Sequence, residues 1–91
     1  MIEMKPVSSA NRDYYDLHDT AQERSFTVMG GEWSVLLLLD EQGLWGLVKP
    51  ADGIGSWAAD LAFSRRAGER LLESLDEFAA FRMIGEQGEA A

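Results

Sequence analysis

Residues 53–58, GIGSWA, are the first stretch whose residue types and spacing could do chemistry. They match the pattern G-x-G-x-x-A, in which backbone amides at a helix start hold the pyrophosphate of a dinucleotide. That chemistry also needs a second parallel strand ending in an acid that binds the ribose. The chain is too short for a paired nucleotide fold, and the strand before the motif is predicted to be antiparallel to its neighbour. We therefore expect a glycine loop followed by a helix cap, and no cofactor.

The second stretch is DLHD at residues 16–19, which contains the single histidine, His18. An imidazole beside carboxylates suits a metal ion, but a closed site needs about four converging ligands. On a helix, His18 would not share a face with Asp16 and Asp19. The chain has no cysteine and no G-x-S-x-G nucleophile elbow. The sequence therefore predicts no metal site, no catalytic residue and a protein that is not an enzyme.

The charge balance carries the clearest functional signal. Sixteen acidic residues against eight lysines and arginines give a formal net charge of −8. Such a surface repels nucleic acid and anionic membranes and attracts a basic protein surface. The cluster of Arg65, Arg66 and Arg70 is flanked by acids, which favours surface salt bridges over nucleic-acid binding. Taken by itself, the charge favours acidity that serves solubility alone over attraction to a basic partner.

The length of 91 residues fits one small domain, which we expect to span residues 1–84 and to be followed by a flexible acidic tail at 85–91. The N-terminus lacks the basic start and apolar segment of a signal peptide. The longest purely apolar run, residues 35–39, is far shorter than the roughly 20 residues of a membrane helix. Because cysteine is absent as well, we expect a soluble, cytoplasmic protein.

The positions of the candidate residues depend on the predicted helices and strands. The first predicted element is an N-terminal helix. Ser8 or Ser9 can cap a helix over residues 10–23, on which Tyr14, Leu17 and Ala21 recur at helical spacing. The next segment, RSFTVM at 24–29, is rich in β-branched and aromatic residues and is predicted to be a strand. The glycine pair at 30–31 predicts a hairpin turn after it.

The most apolar segment, residues 32–48, reads EWSVLLLLDEQGLWGLV and is predicted to be a second hairpin around a DEQG turn. A single helix is the rival interpretation, but it would contain Gly43 and Gly46, each costing about 1 kcal/mol against alanine. With residues 24–29 this hairpin makes a three-stranded antiparallel meander. Leu36 and Leu38 make the second strand face apolar too. Either the N-terminal helix or a second copy must cover that face, and we expect a homodimer.

The C-terminal part is predicted to be mainly helical after a loop at residues 49–56. Ser56 can cap a helix that begins WAADLAF and continues to about residue 84. Gly68 is expected to kink or split this helix. A short strand over FRMI, residues 81–84, is the alternative for its end. The fold class predicted is α+β, with an N-terminal helix, a three-stranded meander and a C-terminal helical segment packed on the sheet.

The function expected from these features is that of a small acidic, non-enzymatic interaction protein. Its sharpest form is an inhibitor or phage-type accessory factor whose carboxylates imitate phosphate spacing and occupy a basic surface of a partner protein. A homo-oligomeric structural domain is the alternative, and a small enzyme or ligand-binding protein is the second alternative. The candidate partner-binding acids are Asp13, Asp16, Asp19 and Glu23 on the first helix and Glu69, Glu73, Asp76 and Glu77 on the last.

Overall fold

The fold is α+β, as predicted, but its sheet has five strands. A computed structural model describes the backbone of residues 1–52 and 58–90 and the side chains of residues 1–52 and 62–85. Over the described residues the elements are β1 (Lys5–Pro6), α1 (Ser9–Tyr14), β2 (Gln22–Val28), β3 (Trp33–Leu39), β4 (Leu44–Pro50), β5 (Ala58–Phe63), α2 (Arg65–Ser74) and α3 (Glu77–Ala90). The strands follow one another in the order β1-β2-β3-β4-β5, and each neighbouring pair is antiparallel.

Helix α1 begins where the sequence predicts but ends much earlier. The Ser8 side chain caps it by accepting a hydrogen bond from the backbone N–H of Asn11 at 3.2 Å. Six residues later the helix stops, because Asp16 takes a left-handed backbone conformation with φ of 53°. The Leu17 N–H then donates to the carbonyl of Arg12 at 2.9 Å, which closes the helix end in the manner of a Schellman motif. The predicted helix over residues 10–23 is therefore wrong beyond Tyr14.

The predicted meander is confirmed by the two hairpins that form its centre. Gly30 and Gly31 both have positive φ in the β2–β3 turn, which places Val28 opposite Trp33. In the β3–β4 turn, Asp40 Oδ1 accepts the backbone N–H of residue 42 at 2.7 Å and that of residue 43 at 3.2 Å. Each turn is thus specified by the residues that suggested it.

Both edge strands escaped prediction. At one edge Lys5 and Pro6 pair with residues 23 and 22 of β2. At the other edge Ala58–Phe63 pairs with β4, with an irregularity between Leu47 and Val48, so the predicted helix beginning WAADLAF is wrong. The apolar residues of this segment have helical spacing. The hydrogen bonds that the open edge of β4 offers to an extended segment outweigh that helical preference. The proposed cap Ser56 and the glycine motif at 53–57 lie outside the described residues.

Helices α2 and α3 form the C-terminal helical segment. Ser64 caps α2 by accepting the N–H of Ala67 at 3.3 Å, and Asp76 caps α3 by accepting the N–H of Ala79 at 2.7 Å. The helices are separated at residues 75–76, so the predicted break at Gly68 is wrong and residues 81–84 are helix rather than strand. Helix α3 also continues through residues 85–90, where we expected a tail; its flexibility stays a prediction.

The hydrophobic core lies between the sheet and the two C-terminal helices. Alternate residues of β3 point into it, and Val35 has no exposed surface. The residues of this core are Ile2, Val28, Val35, Leu37, Leu39, Leu44, Val48, Leu72, Ala80 and Ile84. The intervening residues Leu36 and Leu38 lie on the second face of the sheet, where they are 2% and 3% exposed. Both faces of β3 are therefore buried within one chain.

Gly68 explains why α2 can lie so close to the sheet. A methyl group at this position would come within 2.5 Å of Leu44 Cβ, which belongs to β4 and cannot move without its strand. The glycine is buried inside an uninterrupted helix, so close packing outweighs its low helix propensity.

We expect Gly68→Ala to lower the free energy of unfolding by about 1–3 kcal/mol, because overpacking outweighs the gain in helix propensity. Gly85→Ala is the matched control: it also lies in a C-terminal helix, but nothing is within 4 Å of the added methyl group. This control should be neutral or should stabilise by up to about 1 kcal/mol. Urea denaturation of both variants provides the measurement. Stabilisation by both substitutions would contradict the close approach of α2 to Leu44.

Candidate functional site

Glu23 ties helix α1 to the sheet. We predicted it as an exposed acid on the first helix, but it lies on β2 and is only 5% exposed. Its Oε1 atom accepts hydrogen bonds from the backbone N–H of Ser8 and from Nδ2 of Asn11. Burial opposes ionisation of this carboxyl, but these hydrogen bonds and the charge of Lys5 outweigh it and hold the pKa of Glu23 below its ordinary value. The carboxylate therefore anchors the start of α1.

The segment that follows α1 reaches the second face of the sheet and lines a half-open cavity there. The cavity has a volume of about 270 Å³. Tyr15 and Trp45 supply aromatic rings to its lining, and three leucines supply further apolar surface. Its lining residues are Tyr15, Asp16, Leu17, Leu38, Asp40, Gln42, Trp45 and Leu47.

Tyr15 is held in place by its neighbours. It is half-buried, and its ring meets that of Tyr14 edge-on, with centroids 4.8 Å apart and planes at 77°. Burial raises the pKa of the Tyr15 phenol, and the nearby Tyr14 raises it further, so the ring is neutral at physiological pH. Tyr14 itself is 79% exposed beside the cavity.

The polar part of the cavity wall carries two carboxylates. Asp16 is exposed, and its left-handed conformation sets it between Tyr15 and Leu17 at the cavity wall. Asp40 uses Oδ1 for the β3–β4 turn. A carboxylate has two oxygens, so Oδ2 of Asp40 can accept hydrogen bonds from another group.

Three further carboxylates lie close to these two in the chain. Arg12 contacts Asp13 with 3.6 Å between Nε and Oδ1, and contacts Asp19 with 3.4 Å between Nη1 and Oδ1. On the other side, Glu41 Oε1 lies 4.0 Å from Nδ1 of His18. We call the group Asp13, Asp16, Asp19, Asp40 and Glu41 the acidic end.

The acidic end is partly as the sequence predicts. Arg12 contacts both Asp13 and Asp19, and Asp16 lies between them in the chain, although only Asp13 lies on a helix. Asp40 and Glu41 join them because the β3–β4 turn lies at the same end of the sheet, and nothing in the local sequence of that turn indicates this. Tyr15 and Trp45 were not predicted as site residues, because they meet only through the contact of the segment after α1 with the second face of the sheet.

The C-terminal acids form a separate group. Glu69 Oε1 lies 3.0 Å from Nε of Arg65, Asp76 caps α3, and Glu77 Oε1 lies 2.7 Å from Nη2 of Arg24. Glu73 is exposed on α2. These residues belong to the helical layer, on the opposite side of the sheet from the cavity. The two predicted acidic sets therefore do not make one continuous surface.

A cluster of exposed aromatic rings lies on the helical side as well. Trp33 and Phe78 each lie beside Phe81, with centroid separations of 6.1 Å and 6.4 Å. Trp33 is 36% exposed and Phe78 is 48% exposed. We call Trp33, Phe78 and Phe81 the aromatic cluster.

His18 lies outside the cavity lining. Its Nδ1 atom is 3.0 Å from the hydroxyl of Thr20 and accepts the backbone N–H of that residue at 3.2 Å. Among the described residues, no group of three or more histidines and carboxylates is arranged to hold a metal ion. The glycine motif at 53–58 lies outside the described residues, except for Ala58, which begins β5. In the described parts of the chain, no helix has the length and apolar character needed to cross a bilayer.

Comparison of the chain with protein-family models, with curated proteins and with solved structures finds no match. The acidic end and the cavity are therefore the features of the chain that bear on its function.

The anchor at Glu23 leads to a prediction on pH. Because the pKa of Glu23 is lower in the folded chain than in the unfolded chain, its contribution to stability is present at neutral pH. That contribution is lost as the pH falls through the folded-state pKa. Glu23→Gln should therefore lower the free energy of unfolding by about 1–3 kcal/mol at pH 7, since the charged acceptor is lost.

The difference between Glu23→Gln and the natural chain should shrink as the pH is lowered below the ordinary range of a glutamate carboxyl. Thermal or urea unfolding between pH 7 and pH 3 provides the measurement. Glu3→Gln is the matched control, because Glu3 is exposed and should change stability by no more than about 0.5 kcal/mol. A difference that is the same at every pH would contradict a role for the charge of Glu23.

Proposed function

We propose that the protein is a small acidic, non-enzymatic binding domain that recognises a basic surface on a partner protein. The single observation that carries the proposal is the acidic end, where Asp16 and Asp40, from two separate parts of the chain, line a cavity with two aromatic rings, and three further carboxylates lie close to them in the chain. Carboxylates held on a small rigid domain can imitate the phosphates that a basic, nucleic-acid-binding surface expects. The proposed role is accordingly that of an inhibitor or accessory factor, acting in the cytoplasm.

Electrostatics and side-chain chemistry at the acidic end both support this role. The net charge of −8 steers a basic partner toward the protein, and grouped carboxylates focus that attraction at one place. The adjacent Tyr14, with 79% of its surface exposed, is of the residue type that often dominates binding energy at interfaces. Charge and an exposed aromatic anchor are thus available at the same end of the molecule.

The structure narrows the set of acids that can take part in this proposal. Glu23 is buried beneath α1, and Asp76 caps α3. Glu77 links α3 to β2 through Arg24, and Glu69 and Glu73 lie on α2, on the opposite side of the sheet from the acidic end. We therefore assign the partner-binding role to Asp13, Asp16 and Asp19, together with Asp40 and Glu41.

The test replaces Asp13, Asp16 and Asp19 by asparagine in one variant. Asparagine tolerates the left-handed conformation that residue 16 requires, so the charge is removed and the turn is kept. The control variant, Glu3→Gln, Glu32→Gln and Glu73→Gln, removes three charges from exposed positions outside the acidic end. Both variants therefore have the same net charge.

We expect a basic partner captured from native-host extract at low salt to be lost by the acidic-end variant and kept by the control. With the purified partner, the association rate constant should fall by about tenfold or more, while dissociation changes less, because charge mainly accelerates encounter. Surface plasmon resonance at rising salt provides the measurement. Equal loss by both variants would mean that only net charge matters, and equal retention would exclude the acidic end as the contact.

A homo-oligomeric structural domain is the second candidate, and the aromatic cluster favours it. We had expected a homodimer because Leu36 and Leu38 make the second face apolar, but both are buried within one chain, which removes that argument. Exposed Trp33 and Phe78 on the helical side supply another possible contact.

If the chain self-associates through the aromatic cluster, sedimentation at micromolar concentration will give a species of twice 10.1 kDa. Phe78→Ser should then yield the monomer, because it removes the most exposed ring of the cluster. Tyr14→Ser, which removes an exposed ring elsewhere, is the control. A single 10.1 kDa species for the natural chain would eliminate this candidate.

A further inference from the structure

The cavity at the acidic end has features that charge attraction alone does not require. Carboxylates alone would bind any basic surface, but here they border two aromatic rings and three leucines. We propose that this cavity takes up one arginine side chain of the basic partner. The proposal rests on the function proposed above and names the group that the site recognises.

The walls of the cavity fit the flat, partly apolar shape of this group. Tyr15 follows α1, while Trp45 projects from β4 on the second face and pairs across the sheet with Leu38. A guanidinium group is planar, weakly hydrated and stacks well on aromatic rings. The methylene groups that carry it can lie against Leu17 and Leu47 while the charged group reaches the carboxylates.

Two carboxylates of the cavity lining supply the charge complement. Asp16 is exposed, and Asp40 has its second oxygen available beyond the turn that occupies Oδ1. Arginine has five N–H donors in a fixed plane, enough to reach both carboxylates, whereas the lysine ammonium is a compact, strongly hydrated charge. These features favour arginine over lysine.

The size of the cavity limits what can enter it. Its volume of about 270 Å³ lies below the usual range of sites for drug-sized ligands, roughly 300–1,000 Å³. A single side chain is a better match than a large metabolite. The surrounding charge also suits a basic protein segment, because further cations on that segment would meet Asp13, Asp19 and Glu41.

The experiment compares two probes of equal charge, a hexa-arginine peptide and a hexa-lysine peptide, by fluorescence anisotropy. We expect hexa-arginine to bind about five- to thirty-fold more tightly, which corresponds to about 1–2 kcal/mol of cation–π and stacking energy. In ¹⁵N-labelled protein, the indole N–H signal of Trp45 should shift on addition of hexa-arginine. The indole signal of Trp33, on the other side of the sheet, should not shift.

Trp45→Leu removes an aromatic wall and should abolish the preference for arginine while leaving salt-dependent binding of both peptides. Trp33→Leu is the matched control and should keep the preference. If Trp45→Leu fails to fold, Tyr15→Leu removes the other aromatic ring of the cavity lining and tests the same preference. A dispersed NMR spectrum will show that this variant is folded. N-acetylarginine amide serves as a third probe, because it carries the guanidinium without a basic peptide.

The outcomes distinguish failure of the arginine site from failure of the acidic binding domain. Equal binding of the two peptides with an unmoved Trp45 signal would overturn the arginine site and leave the acidic binding domain intact. Failure of both peptides to bind at low salt would overturn both. Saturation of the Trp45 shift by N-acetylarginine amide at the same concentration as hexa-arginine would overturn a protein segment as the source and indicate a small cationic ligand instead.

Discussion

The burial of both faces of strand β3 is the constraint on which the rest of this fold depends. Residues 35–39 are five consecutive apolar side chains, and none is more than 3% exposed. Because successive side chains of a strand point to opposite faces, such a run needs a cover on each side. Helices α2 and α3 cover one face, and the segment after α1 lies over part of the other beside Leu38.

The two segments that cover β3 differ in how closely and how extensively they pack on the sheet. This difference explains where the candidate site lies. On the helical side, Gly68 allows α2 to approach Leu44 closely, and the Arg24–Glu77 ion pair ties the start of α3 to β2. On the second face, the cover is a six-residue helix and a turn, anchored by the buried carboxylate of Glu23. A short cover leaves an unfilled space between Tyr15 and Trp45. The cavity is thus a consequence of covering a long apolar strand with a short segment.

Local chemistry made the centre of the fold predictable from the sequence. The Gly30–Gly31 turn, the Asp40 turn and the Ser8 cap each depend on contacts within a few residues, so their residue types indicate them directly. The edge strands depend on distant partners: residues 58–63 have helical spacing, yet they pair with β4. The end of α1 was not predicted because it depends on the left-handed backbone conformation of Asp16. The presence of an aspartate does not by itself indicate that conformation.

The acids of this chain divide by what surrounds them, and composition alone cannot make that division. Glu23, Asp76 and Glu77 have hydrogen bonds or ion pairs that hold elements together, so their charges are used within the fold. Arg24 and Glu77 lie 2.7 Å apart and join β2 to α3. At the acidic end, by contrast, Arg12 contacts Asp13 and Asp19 at 3.4 Å or more, within one short segment of the chain, and both carboxylates are at least 79% exposed. Exposed pairs of this kind contribute little to stability. Their carboxylates can therefore exchange Arg12 for a stronger cationic partner at little cost to the fold, which is the physical basis for assigning them to binding.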